Sequence, residues 1–148
     1  MIYLNIEDHE GMWTKVTRPE PIEYGIRLAA GISAHLLSQG IEVGFGTNGA
    51  VVDGEEQDML LPAAGGEAQQ DLILELLAKL ELTRKLSFHD YLLSMLNRQE
   101  ESVDMILLTT YVSPRLEALL ERFRMKGHSV EVTLLEDGMI VAGKEVSA

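Results

Sequence analysis

The alternation of apolar, strand-like runs with amphipathic helical segments limits this chain to few folds. The predicted strands cover residues 1–7, 41–47, 103–109 and 128–135, and the predicted helices cover residues 21–39, 67–80, 87–98 and 114–127. Strands that alternate with helices favour parallel pairing, because each helix crosses over one face of the sheet. The sequence therefore predicts an α/β fold with a doubly wound, mainly parallel sheet and helices on both faces.

Two shorter segments are predicted to form antiparallel strands at the edges of this sheet. Residues 59–61 are apolar and precede Pro62, which is tolerated in an edge strand but not in the centre of a sheet. Asp137 and Gly138 form a hairpin-turn signal before the apolar residues 139–142. Residues 8–20 lack any periodicity and are predicted to form a long loop.

Length and composition narrow the classes of function. A chain of 148 residues fits one domain, covering residues 1–148. It has no cysteine, which excludes disulfides, thiolate metal sites and a cysteine nucleophile. A formal net charge of −12 opposes binding to nucleic acid or to anionic lipids. We expect no nucleic-acid partner and no membrane contact by this chain itself.

The apolar runs and the first residues of the sequence bear on the cellular location of the protein. No apolar run reaches the roughly 20 residues that span a bilayer, and the first residues lack the basic region of a signal peptide. Because the chain begins directly on a predicted strand, we expect a fragment of a longer protein. The expected location is the cytoplasm, with a tether to the membrane through a missing amino-terminal segment as an open alternative.

Two motifs have the letters of catalytic or cofactor sites without their context. Residues 44–49 read G-F-G-T-N-G, but residues 50–54 do not open the helix that a dinucleotide site requires. Ser33 and His35 lie within a predicted helix, whereas a nucleophilic serine needs a sharp turn between a strand and a helix. We expect no cofactor and no catalytic residue, and we interpret the seven methionines as core residues.

The order of the elements resembles the von Willebrand factor A-like part of the bacterial "domain of unknown function 58" family. The residues that carry the resemblance lie in I-E-Y-G-I-R-L-A-A-G-I-S-A-H-L-L-S-Q-G, I-E-V-G-F-G-T-N-G, L-S-F-H-D-Y-L-L-S-M-L, D-M-I-L-L-T-T and K-G-H-S-V-E-V-T-L-L. In this fold a metal-ion-dependent adhesion site follows the first strand. The resemblance implies a non-catalytic module that binds a protein partner.

The metal-binding pattern is eroded in this chain. By position, the D-x-S-x-S segment falls on Asn5, Glu7 and His9, the threonine on Ser87, and the aspartate on Thr109 or Thr110. A hard dication needs several oxygens with at least one or two carboxylates. We therefore predict that the site is metal-free or weak, and that Asn5, Ser87 and Thr110 hydrogen-bond to one another, to capping amides or to water.

The resemblance implies a binding face at the carboxyl edge of the sheet, where open α/β sheets hold ligands. Its expected residues are Asn5, Glu7, His9, Trp13, Thr47, Ser87, Thr110 and Tyr111. Exposed Trp13 or Tyr111 is the expected anchor for a protein partner. Two alternatives stay open: a divalent-metal site for adhesion or hydrolysis that uses Glu7 and Asp8, and a domain that serves only assembly. The sequence leaves the oligomeric state open.

Overall fold

Seven strands and four helices alternate along the part of the chain that the computed structural model describes, residues 1–52, 60–98 and 100–136. The strands are β1 (Ile2–Leu4), β2 (Val43–Thr47), β3 (Gly49–Val51), β4 (Leu60–Ala64), β5 (Leu80–Arg84), β6 (Asp104–Thr109) and β7 (Ser129–Leu134). The helices are α1 (Pro19–Ser38), α2 (Glu67–Ala78), α3 (Phe88–Arg98) and α4 (Pro114–Met125).

The main sheet has five strands in the order β4-β2-β1-β6-β7. Strand β1 runs parallel to β2 and β6, and β6 runs parallel to β7. Strand β4 is antiparallel to β2 and contains Pro62 at the edge. The prediction of an α/β fold with a mainly parallel sheet and an antiparallel edge is confirmed.

Apolar side chains on alternate positions of the strands form two cores, one on each face of the sheet. On β1, Tyr3 packs with buried residues of α3 and α4, whereas Ile2 and Leu4 pack with buried residues of α1 and α2. A strand buried on both faces is apolar throughout, which explains the continuous apolar runs in the sequence. The helices therefore cover both faces.

Local sequence signals place the two helices that follow the central strands. Helix α1 has proline in its first turn, where the missing N–H is no loss. Helix α4 begins after Ser113, whose hydroxyl accepts a hydrogen bond from the Leu116 N–H at 3.1 Å. Both helix starts are confirmed, although α1 begins two residues earlier than predicted.

Strand β5 was missed by the sequence analysis. It pairs antiparallel with β3 in a separate two-stranded sheet, and Lys15 bridges to Thr83 on its other side. The leucines at 76, 77 and 80 extend a helical spacing into this strand, so the prediction continued α2 to residue 80. The helix in fact ends at Ala78, and the chain turns at Lys79.

Two further expectations are corrected, and two others fall on residues that the structure does not describe. Strand β1 ends at Leu4 rather than at residue 7, because the Ile6 N–H bonds to the Asn48 side chain instead of to a neighbouring strand. Met125 was placed in the core, but it is 85% exposed at the end of α4. The predicted hairpin at residues 137–142 and Met59 lie outside the described residues.

Among the described residues, none of the helices has the length and apolar character that crossing a membrane requires.

From the burial of the His128 ring we expect acid to destabilise the fold. Its Nδ1 accepts a hydrogen bond from the Val103 N–H at 3.1 Å, so the neutral ring carries its proton on Nε2. Burial, with a smaller contribution from Lys126, lowers the pKa of His128 below its ordinary value of 6.5. The unfolded chain therefore binds this proton more readily than the folded chain does.

We predict that the free energy of unfolding falls as the pH drops below about 6.5, the ordinary histidine value. Urea unfolding followed at several pH values between 8 and 5 measures the slope. The slope should decrease in His128→Gln, and His35→Gln, which replaces an exposed histidine, is the matched control. An equal slope in all three proteins would contradict the prediction.

Candidate functional site

Glu7 is a buried carboxylate just beyond β1, and both of its side-chain oxygens are paired. The residue is 3% exposed. Its Oε2 accepts a hydrogen bond from an Arg84 N–H at 2.8 Å, and its Oε1 accepts one from the Tyr111 hydroxyl at 2.5 Å. A buried charge is tolerated only when it is paired and hydrogen-bonded. We call Glu7, Arg84 and Tyr111 the Glu7 cluster.

Three different parts of the chain meet in the Glu7 cluster. Glu7 follows β1, Arg84 ends β5, and Tyr111 lies between β6 and α4. Neighbouring hydrogen bonds hold the two partners in place: the Arg84 backbone N–H donates to the Thr14 carbonyl at 2.7 Å, and the hydroxyl of Thr110, the residue before Tyr111, donates to the Glu7 carbonyl at 2.7 Å. The two-stranded β3–β5 sheet therefore positions the Arg84 guanidinium that pairs with the Glu7 carboxylate.

Tyr111 stays a neutral hydrogen-bond donor in this cluster. Burial, followed by the hydrogen bond to the Glu7 carboxylate, raises the pKa of Tyr111 well above its ordinary value of 10.0. Both causes disfavour the phenolate, because a second negative charge would face the carboxylate. The cluster can hold a structure together or present donors, but it does not supply an activated phenolate nucleophile.

Next to the Glu7 cluster, buried amide and hydroxyl side chains hydrogen-bond to one another and to the backbone. Asn5 donates from Nδ2 to the Thr109 hydroxyl at 3.0 Å, and its Oδ1 accepts from the Glu7 N–H at 2.9 Å. Asn48 accepts from the Ile6 N–H at 3.0 Å and donates to Asn5 Oδ1 at 3.3 Å. Beyond the end of β1, these side chains take the place of strand-to-strand hydrogen bonds. Their polar groups are therefore already bonded within the chain.

Asp8 ties the beginning of the 8–18 loop to its end. Its Oδ2 accepts hydrogen bonds from the Thr17 N–H, the Thr17 hydroxyl and the Arg18 N–H at 2.6, 2.9 and 2.7 Å, and Oδ1 lies 2.5 Å from His9 Nδ1. Burial opposes ionisation, but the bonds from Arg18, Thr17 and His9 outweigh it and lower the pKa of Asp8. The carboxylate is committed to closing its own loop.

Trp13 projects from this loop into solvent. It is 85% exposed, although the chain beside it is held firmly. The Met12 N–H donates to the His9 carbonyl at 3.2 Å, and the Val16 N–H donates to the Leu82 carbonyl at 3.1 Å. With the bridge between Lys15 and Thr83, these bonds fix the backbone on both sides of the indole.

The structure brings most of the expected site residues to one edge but exposes few of them. Asn5 and Thr47 are fully buried, and the Thr47 hydroxyl accepts a bond from the Gly49 N–H at 3.2 Å. Ser87 caps α3 by accepting from the Asp90 N–H at 3.1 Å. Residues of this edge that reach solvent include His9, whose side chain is 56% exposed, and Trp13.

The sequence analysis missed Arg84, which completes the site. Its pairing with Glu7 spans 77 positions of the chain, and β5 itself was not predicted. The available signal was for the strand alone: Leu80 and Leu82 alternate with Glu81 and Thr83 just before Arg84, but this pattern does not point to Glu7. Asp8 entered the sequence analysis as a candidate metal ligand, whereas the structure shows that it closes the loop.

A cavity of about 220 Å³ opens beside the Glu7 cluster. Its wall includes Arg84, Tyr111 and the first turns of α3 and α4, with His89 and Arg115. Among the described residues no group of three or more His, Asp or Glu side chains is arranged to hold a metal ion. Besides Glu7 and Glu10, the cavity wall offers cationic and neutral donors.

Comparison of the chain with protein-family models, with curated proteins and with solved structures found no match.

We predict that Arg84→Ala destabilises the protein by about 3 kcal/mol or more, because it leaves the buried Glu7 carboxylate without its cation. Urea unfolding measures the loss. The double variant Glu7→Gln/Arg84→Ala should be less destabilised than the sum of the single variants, since the removed groups are coupled.

Arg122→Ala is the matched control for this change. Arg122 is an exposed arginine on α4, away from the Glu7 cluster, so its loss should leave the free energy of unfolding nearly unchanged. If Arg84→Ala behaved like Arg122→Ala, the ion pair with Glu7 would not support the fold as described.

Proposed function

We propose that this domain is a non-catalytic protein–protein interaction module that binds its partner at the carboxyl edge of the main sheet, with Trp13 as the anchor residue. The observation that carries the proposal is the 85% exposure of Trp13 on a loop whose backbone is fixed. An exposed indole that becomes buried in a complex is among the strongest contributors to binding energy.

The rigidity of the loop supports this role for Trp13. Asp8 closes the loop through Thr17 and Arg18, and the segment after Trp13 bonds to β5. A side chain on ordered backbone loses less conformational entropy on binding than one on a free loop. The loop therefore presents the indole in a preformed position, as a recognition residue requires.

The proposal keeps the resemblance to the von Willebrand factor A-like part of the "domain of unknown function 58" family, with its metal site eroded. The mainly parallel sheet and the gathering of residues 5–9 and 109–111 at one edge are compatible with it. The lack of cysteine supports a reducing compartment such as the cytoplasm.

A divalent-metal site for adhesion or hydrolysis is the second candidate, and the bonding of Glu7 and Asp8 weighs against it. A cation at Glu7 would have to displace the Arg84 guanidinium and the Tyr111 hydroxyl. A cation at Asp8 would have to break the bonds that close the loop. A hard dication also loses hydration when it binds, which the remaining amides and hydroxyls compensate poorly.

We predict that Mg²⁺, Mn²⁺ and Ca²⁺ do not change the melting temperature and give no saturable heat in calorimetry. A ligand that binds only the folded state must raise its stability, so both measurements report the same site. Saturable binding that is lost in Glu7→Ala, with the fold of the variant verified by circular dichroism, would favour the metal-dependent function instead.

We predict that Trp13→Ala weakens partner binding by about 30-fold, since a truncated anchor costs roughly 2 kcal/mol or more. The partner is first isolated on the immobilised wild-type domain, and its affinity for each variant is then measured with purified components. Trp13 is the single tryptophan of the sequence, so its fluorescence should shift to shorter wavelength when the partner covers it.

Met125→Ala is the control for this test, because Met125 has the same 85% exposure but lies at the end of α4. It should bind like the wild type. Equal binding by the Trp13→Ala and wild-type domains, with no change in fluorescence, would show that the partner contacts another surface.

A further inference from the structure

The cavity beside the Glu7 cluster contains more hydrogen-bond donors than the chain uses. An arginine side chain has five N–H donors. Among the described residues, Arg84 uses one side-chain N–H to bond Glu7 and makes no other side-chain hydrogen bond. Arg115 makes no ion pair or side-chain hydrogen bond within the same part of the chain. Two guanidinium groups therefore line one cavity with most of their donors available.

His89 adds a polar atom that the fold does not satisfy. Its Nδ1 is buried, it has no hydrogen-bond partner among the described residues, and its distance of 3.8 Å from Asp90 Oδ1 is too long for a hydrogen bond. Buried polar atoms are nearly always bonded, and His89 contributes to the cavity wall, so this nitrogen is a candidate partner for a group bound there.

The cavity also lies between the first turns of two helices. Helix α3 begins at Phe88 and helix α4 at Pro114, and both first turns contribute to the wall. The N-terminus of a helix carries a partial positive charge that favours anions. This contribution adds to the charge of Arg115, since the charge of Arg84 is balanced by Glu7.

The one carboxylate deep in the wall does not oppose an anion strongly. Glu7 is compensated by Arg84 and hydrogen-bonded by Tyr111, so its charge is already matched. Glu10, which is exposed, is the remaining acid of the wall. A volume of about 220 Å³ is below the ~300 Å³ at which pockets for small molecules begin, so one compact group fits better than a whole cofactor.

We propose that this cavity is an oxyanion site, in which Arg84, Arg115 and His89 hold a single carboxylate or phosphate group between the first turns of α3 and α4. Guanidinium groups pair with both anions in the same way, through two parallel N–H bonds. The inference rests on the proposed function, because it names the chemistry that the partner presents at the edge marked by Trp13.

The test is a titration of the ¹⁵N-labelled domain with sodium acetate and with sodium phosphate, against sodium chloride at constant ionic strength. The amide signals of His89 and Arg115 should shift and saturate with one of the two oxyanions but not with chloride. Tighter binding of acetate identifies the carboxylate of an acidic protein segment, and tighter binding of phosphate identifies a phosphoryl group.

Two matched variants distinguish the cavity from general attraction. Arg115→Ala should weaken binding about tenfold, as expected for the loss of a charge-assisted hydrogen bond. Arg122→Ala removes the same charge from the same helix but outside the cavity, so it should bind like the wild type. Glu10→Gln should bind more tightly, because it removes a repelling charge from the wall.

Failure of this inference and failure of the proposed function give different results. Shifts that do not saturate, that chloride reproduces, or that Arg115→Ala leaves unchanged would overturn the oxyanion site. If partner binding still depended on Trp13, the proposal of an interaction module would remain supported. Trp13→Ala should titrate with the anion as the wild type does, because Trp13 does not line the cavity.

Discussion

The carboxyl edge of the main sheet depends on one buried charge. Glu7 follows a central strand, where water is excluded, so its carboxylate must be compensated by groups from elsewhere in the chain. Arg84 arrives from β5 and Tyr111 from the segment between β6 and α4. The single carboxylate thereby links the small sheet, the central strand and the segment before α4.

This arrangement separates the edge into an inner and an outer part. The inner part contains Asn5, Asn48 and Thr109, whose polar atoms bond to one another and to the ends of the strands. An external ligand would have to break those bonds. The outer part contains the indole of Trp13 and the donors around the cavity, which are not committed in this way. Recognition of a partner is therefore proposed for the outer part alone.

The sequence predicts the elements whose signals are local and fails where the determinant is distant. The Ser113 cap and the prolines at the start of α1 place two helices within a few positions, and continuous apolar runs locate the central strands. Strand β5 was missed because Leu80 continues a helical spacing that its partner strand overrides. The position of Glu7 was predicted, but its partner Arg84 could be found only from tertiary structure, since no local pattern joins them.

The pairing of Glu7 with Arg84 and Tyr111 also bears on whether this edge binds a partner or catalyses a reaction. A general base needs a free lone pair near the reacting group. Both side-chain oxygens of Glu7 instead accept hydrogen bonds, one from the Arg84 guanidinium and one from the Tyr111 hydroxyl. The Tyr111 hydroxyl is kept protonated by the same contact. A site that stabilises its charges in the resting protein is suited to holding a partner group in place, which is the role we propose for this edge.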